Sequence, residues 1–248
     1  MQLRHNASFV AITGTKGVGK STFFFRYILG HKAKYKFLFD HQGEAPYVLG
    51  EPATVESMED MVTRIKAGET EFNYNPHNDY PGELPTAFDD FCDFVFEFAS
   101  NINEHILFAT DELQNLDRTS ILSPPFGRIV ETGRRRGIDA VAICQSLNTL
   151  HNRVRNQFTE VVAFKSVGSR ALEYLEAIDF DTDEILRLQK FHYVSQDLFS
   201  GEFQRGKVFP LTGSTFSAQA ENETQSQVES GQSISDQPEP NEIAGEKK

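Results

Sequence analysis

The octapeptide Gly14-Thr15-Lys16-Gly17-Val18-Gly19-Lys20-Ser21 constrains this chain more than any other feature. It fits G-x-x-x-x-G-K-[ST], a phosphate-binding P-loop, and that loop works in only one local context. An apolar strand must enter it and a helix must leave it. Both are present: Phe9-Val10-Ala11-Ile12 precedes the loop, and Thr22-Phe23-Phe24-Phe25-Arg26-Tyr27-Ile28-Leu29 follows it. The loop's glycines let the backbone curl so that its N–H groups form an anion nest, to which the helix N-terminus adds partial positive charge. The expected phosphate-binding residues are Gly14, Thr15, Lys16, Gly17, Val18, Gly19, Lys20, Ser21 and Thr22. Lys20 supplies a mobile charge for the β- and γ-phosphates, and the Ser21 hydroxyl is an expected Mg²⁺ ligand. ATP with Mg²⁺ is therefore the expected occupant.

A second constellation lies downstream. The apolar run Ile106-Leu107-Phe108-Ala109-Thr110 ends in Asp111-Glu112, the Walker B pattern. Asp111 is expected to hold the magnesium shell opposite Ser21, and Glu112 to orient or deprotonate the attacking water. A Glu directly after the Asp points to ATPases that carry an extra strand between the P-loop strand and the Walker B strand. It argues against small-molecule kinases and GTPases. Ala140-Val141-Ala142-Ile143-Cys144 then ends in Gln145, whose amide is expected to sense the γ-phosphate. Before that strand stands Arg134-Arg135-Arg136, any one of which is a candidate arginine finger for a neighbouring subunit. The alternative for this block is a solvated basic cluster at a helix end.

Short apolar strands alternate with helical stretches, which predicts a mainly parallel sheet covered on both faces. Strands are expected at Phe9–Thr13, Lys36–Asp40, Glu71–Asn75, His105–Thr110, Asp139–Cys144 and Glu160–Lys165, with a late hairpin turning at Ser200-Gly201. A helix from Thr54 to Lys66 is expected with Thr54 as its cap. Another, Ala87 to Ser100, carries Phe88, Phe91, Phe94, Val95 and Phe98 as a core stripe. Cys92 and Cys144 sit in apolar runs without metal spacing and read as buried thiols.

With 248 residues and 39% hydrophobic content the chain can build one sizeable α/β domain, expected over residues 1–213. Residues 214–248 are expected to be an acidic disordered tail, since Glu221 to Lys248 hold seven acids, two lysines and almost nothing apolar. The net charge of −12 does not exclude nucleic acid, because basic residues gather at Arg128, Arg134–Arg136, Arg153 and Arg155. His151–Arg155 reads equally as a DNA-facing segment or a solvated face. No membrane span and no signal-peptide core are visible.

The order of GTKGVGKS, ILFATDE, GRRRGIDAVAICQS and LNTLHNRVRNQFTEVVAFK resembles the FtsK/HerA superfamily of hexameric, DNA-translocating ATPases. The likeness covers roughly Phe9 to Gln196. Within it the chain looks like the small genome-packaging ATPases of tailless icosahedral viruses with an internal membrane. The resemblance implies a RecA-like (ASCE) fold, a hexameric ring, and double-stranded DNA bound through its phosphates. It further implies capsid or membrane-vertex partners, and a place in the host cytoplasm or virion rather than outside the cell. Two other readings stay open: a filamentous-phage assembly ATPase of the zonula-occludens-toxin-like kind, and a nucleotide-switched partner-binding protein. All three share one expected outcome. Lys20→Ala will weaken nucleotide binding, measured by titration with a fluorescent ATP analogue.

Overall fold

The computed structural model describes residues 7–46, 54–116 and 121–210. The acidic tail expected at 214–248 lies outside the described residues. Nine described strands form one sheet: β1 Phe9–Thr13, β2 Tyr35–Phe39, β3 Thr54–Val55, β4 Glu71–Tyr74, β5 Ile106–Thr110, β6 Ile138–Cys144, β7 Glu160–Phe164, β8 His192–Asp197 and β9 Phe203–Lys207. Their spatial order is β3-β4-β2-β5-β6-β1-β7-β8-β9. All pairings from β3 to β7 are parallel, and only the β8–β9 hairpin runs antiparallel. This is the expected α/β fold of RecA-like P-loop NTPases. One strand, β6, stands between the P-loop strand β1 and the Walker B strand β5, as the Asp-Glu pair implied.

Alternation along each strand sends neighbouring side chains to opposite faces, so two cores form. On one face Phe9, Ala11, Phe37, Phe39, Ile106, Phe108 and Ala140 pack under α3 (Leu84–Asn101) and α4 (Pro124–Thr132). On the other face Val10, Ile12, Leu38, Leu107, Val141, Ile143 and Val162 pack under Phe24, Phe25 and Ile28 of α1 (Lys20–Gly30). The phenylalanine stripe of α3 is core, as expected. Phe91 lies 5.3 Å from Phe39, 5.7 Å from Tyr74 and 5.7 Å from Phe108, ring centre to ring centre. Cys92 and Cys144 are buried free thiols.

Helix α2 (Met58–Lys66) corrects one expectation. Its cap is Ser57, whose Oγ accepts the Asp60 N–H at 3.0 Å, while Thr54 belongs to the short strand β3. Both residues are good caps. The pairing of Thr54 with Asn73 on β4 decided between them. Three short helices complete the set among the described residues: α5 Asn152–Arg155, α6 Ser169–Ala177 and α7 Thr182–Arg187. No described helix is long and apolar enough to cross a membrane.

The two-sided core makes a stability prediction. Phe91→Ala removes a fully buried ring and will cost about 3–5 kcal/mol in urea unfolding. Phe199→Ala, at a ring that is 99% exposed, will change stability by less than ~0.5 kcal/mol.

Candidate functional site

The P-loop is the chain between β1 and α1, and its shape rests on two glycines. Gly14 has φ +147°, and a Cβ there would stand 2.8 Å from the Phe164 Cβ. Gly19 has φ +118°, and a Cβ there would stand 2.8 Å from the Phe191 ring. Neither position admits a side chain. No side chain caps α1, and no acidic residue occupies its first turn. Its leading amides are therefore uncompensated donors carrying the positive helix end. Thr15 turns the other way, with both its N–H and its Oγ donating to the Lys165 carbonyl, at 2.9 and 3.0 Å. Val18 is buried in the core, Lys16 and Gly17 are exposed, and Ser21 and Thr22 are half-buried at the start of α1. Lys20 reaches across the loop, its Nζ donating to the Thr15 carbonyl at 2.8 Å.

Strand register brings the other groups to this loop. Thr13 pairs with Cys144, and Thr110 pairs with Ala142. Gly14, Asp111, Glu112 and Gln145 thus leave the carboxyl ends of three adjacent strands at almost one level, where α/β sheets place their ligands. The Thr13 hydroxyl donates to the Gln145 carbonyl at 3.2 Å. Asp111 is buried, with Oδ1 accepting the Glu112 N–H at 2.6 Å. Among the described residues no Lys, Arg or His stands at ion-pair distance from it. Burial is the main reason that its carboxyl is pushed up to about 7. The Glu112 N–H pulls the other way, and Glu44, Glu112 and Asp40 add to the rise. Burial likewise lowers the Lys20 ammonium, against the attraction of Asp111, Cys144 and Glu112.

Glu112 has φ +43°, unusual for a residue with a side chain. Three amides hold its carboxylate: Asn115 Nδ2 at 2.8 Å and Gln42 Nε2 at 3.3 Å donate to Oε2, and Gln145 Nε2 donates to Oε1 at 3.4 Å. The Gln145 N–H in turn donates to Gln114 Oε1 at 3.3 Å. Lys20, Asp111, Glu112 and Gln145 therefore share one site.

The three arginines do not join it. Arg134, Arg135 and Arg136 form a 3-10 turn, Gly133–Arg136, just before β6. They lie at the opposite edge of the sheet, a strand length of about 20 Å from Gln145. Within one subunit they cannot reach that subunit's P-loop. Arg136 lies over the Phe96 ring at 5.7 Å, while Arg135 is exposed and pairs with no carboxylate among the described residues. The remaining basic rim is largely engaged. Arg128 pairs with Asp93 and Glu97, and Arg153 with Glu131. Arg155 donates to Asn148 and Asn152 and lies 5.4 Å from the Tyr174 ring centre.

Gln42, Asn115, Gln114 and Phe191 are site residues that sequence reasoning missed. Gln42 follows β2 by three positions, and only the place of β2 beside β5 brings it to Glu112. Phe191 has φ +68°, donates its N–H to the Val18 carbonyl at 2.7 Å and so props the P-loop from below. Neither had a motif to mark it. The one available signal was position at a strand end, which acquires meaning once the strand order is known.

The site fits a nucleoside triphosphate with Mg²⁺. The uncapped helix end suits phosphate, and the buried, unpaired Asp111 calls for a cation. Among the described residues no group of three or more His, Cys, Asp or Glu could hold a metal by itself. Mg²⁺ would thus depend on Ser21, Asp111, phosphate oxygens and water together. Bound there, it would supply charge to neutralise the phosphates. Of the chain's own groups, Lys20 provides a second positive charge, and Glu112 offers a carboxylate that can accept a proton.

No protein-family model and no curated protein matches the chain. Solved structures do. The DNA-packaging ATPase B204 from Sulfolobus Turreted Icosahedral Virus superposes with a TM-score of 0.64 at 16% identity, covering 83% of this chain and 99% of that one. B204 from Sulfolobus turreted icosahedral virus 2, a genome packaging NTPase in complex with AMPPCP, gives 0.62 at 14% identity, covering 82% and 98%. The bacterial conjugative coupling protein TrwBdeltaN70 gives 0.60 at 10% identity, covering 83% and 85%. All are P-loop ATPases of the FtsK/HerA type, in keeping with the resemblance read from the motifs. At these identities the likeness establishes a shared fold.

Asp111 yields a pH prediction. Its folded value lies above the ordinary carboxylate value of about 4. The free protein therefore loses stability from this group as pH rises from about 4 through about 7. Mg²⁺ requires the ionised form, so binding releases a proton. Apparent Mg·ATP affinity, measured by calorimetry, will rise with pH through about 7, and Asp111→Asn will abolish most of that dependence.

Proposed function

We propose that the protein is an ATP-hydrolysing motor that moves double-stranded DNA, packaging a viral genome into a preformed capsid. The observation that carries this reading is the convergence of Lys20, Asp111, Glu112 and Gln145 at one sheet edge with β6 between β1 and β5. That is the arrangement of a hydrolysing ATPase rather than a kinase or a GTPase. The fold shared with a DNA-packaging ATPase supports the substrate. The protein works as a ring, expected to be hexameric, with ATP between subunits. An arginine of Arg134–Arg136 from one subunit completes the site of the next, where a finger is worth ~10³–10⁵ in rate. The distance of these arginines from their own P-loop agrees with action on a neighbour. DNA is held by phosphate contacts, and binding is therefore independent of sequence and sensitive to salt. Arg153 and Arg155 would first have to release Glu131, Asn148 and Asn152 to take part. Residues 1–213 form the motor domain, and the acidic tail, 214–248, docks a capsid or membrane-vertex protein. The protein acts in the host cytoplasm or the virion.

The test is steady-state ATP hydrolysis with and without duplex DNA, alongside imaging with a non-hydrolysable analogue. DNA should stimulate turnover several-fold and thread a ring. A monomer whose rate ignores DNA would overturn the motor. Glu112→Gln will cut turnover by about 10²–10⁴ yet retain ATP binding, which filter binding of labelled ATP checks.

A further inference from the structure

The phosphate site has a direction, and it leaves one end of the nucleotide without a seat. Asp111, Glu112 and Cys144 act on the Lys20 charge from β5 and β6, on one side of β1. A triphosphate whose terminal phosphate meets those carboxylates must send its nucleoside across β1, toward β7, β8 and β9. On that side lies a cavity of about 280 Å³ between the first turns of α1 and the returning hairpin. Phe23, Arg26, Tyr27, Tyr193, Lys207 and Phe209 line it. Phe23 directly follows Thr22, the last P-loop residue.

The walls suit a flat aromatic ligand. Phe23 and Tyr193 meet edge to face at 4.9 Å, leaving ring faces turned elsewhere. Phe209 is 61% exposed, a large ring in water beside the nucleotide helix. Its position is held, since Arg26 Nε donates to the Phe209 carbonyl at 2.8 Å and Lys207 Nζ lies 5.3 Å from its ring centre. Arg26 and Lys207 are pure donors, matching the ring-nitrogen acceptors of a purine. The volume is just below the roughly 300 Å³ at which drug-sized pockets begin, as a base with part of its sugar requires. Phe191 ties this wall to the phosphates, its N–H donating to the Val18 carbonyl and its carbonyl accepting the Val208 N–H.

We infer that this cavity is the seat of the nucleotide's purine base, with Phe209 as a stacking platform. The inference rests on the P-loop reading above, and two measurements separate their failures. Photolabelling with 8-azido-ATP should mark Phe23–Tyr27, Tyr193 or Lys207–Phe209 in peptide mapping, and a label placed elsewhere overturns the base site. Competition binding then compares ATP with inorganic tripolyphosphate. Phe209→Ala should weaken ATP roughly ten-fold, the scale of one base–aromatic stack, and leave tripolyphosphate unchanged. Unchanged ATP affinity overturns the base site alone, and so does an equal loss for both ligands, since tripolyphosphate has no base to feel the ring. Failure of the unaltered protein to bind tripolyphosphate would overturn the P-loop reading and this inference with it.

Discussion

The parallel pairing of β6 with β1 on one side and β5 on the other is the constraint on which the site depends. Each strand contributes little alone: a glycine loop, a pair of acids, an amide. The ladder makes them one site, because register aligns Thr13 with Cys144 and Thr110 with Ala142. Adjacent strands lie about 4.8 Å apart, so Asp111 faces the P-loop across roughly 10 Å. That gap suits a hydrated cation on a phosphate and is too wide for direct contact between the two loops. A slip of one residue in either pairing would turn every core side chain of the moved strand to the wrong face. The core that stabilises the sheet therefore also fixes the geometry of the site.

Burial gives that site its electrostatic character. Asp111 is driven toward neutrality, and Lys20 is made a less comfortable cation, by the same loss of water. Neither charge is matched by a close ion pair, and both states are relieved by a ligand that brings phosphate and metal together. Glu112 is treated differently. It is half-exposed, strained in backbone and gripped by three neutral amides from three segments. Neutral donors position a carboxylate without cancelling its charge, so it remains available as a base.

The arginines divide along the same lines. Arg128, Arg153 and Arg155 are absorbed by Asp93, Glu97, Glu131 and side-chain amides, and they serve as links between neighbouring helices and turns. Arg135 extends from the edge of the sheet opposite the nucleotide. A single subunit thus carries its phosphate site and its arginine block on opposed edges. Such polarity has a use when copies meet head to tail, which is how heterologous contacts close into rings.

Much of this was legible in the chain itself. The P-loop, the acids at Asp111-Glu112 and the amide at Gln145 were visible because each ends an apolar run, and strand ends in a parallel sheet converge. The intervening strand was legible too, since a Glu after the Walker Asp belongs to that topology. The Thr54 cap was misread because a strand pairing outweighed a local hydrogen-bonding preference. Gln42, Asn115 and Phe191 were invisible for a related reason, since each acts on a partner brought near only by strand order or by a returning hairpin. Local spacing determined which groups of this protein do chemistry. Tertiary pairing alone decided which amides hold Glu112, that Phe191 props Gly19, and that the arginines turn away from their own nucleotide site, because such contacts join residues far apart in sequence.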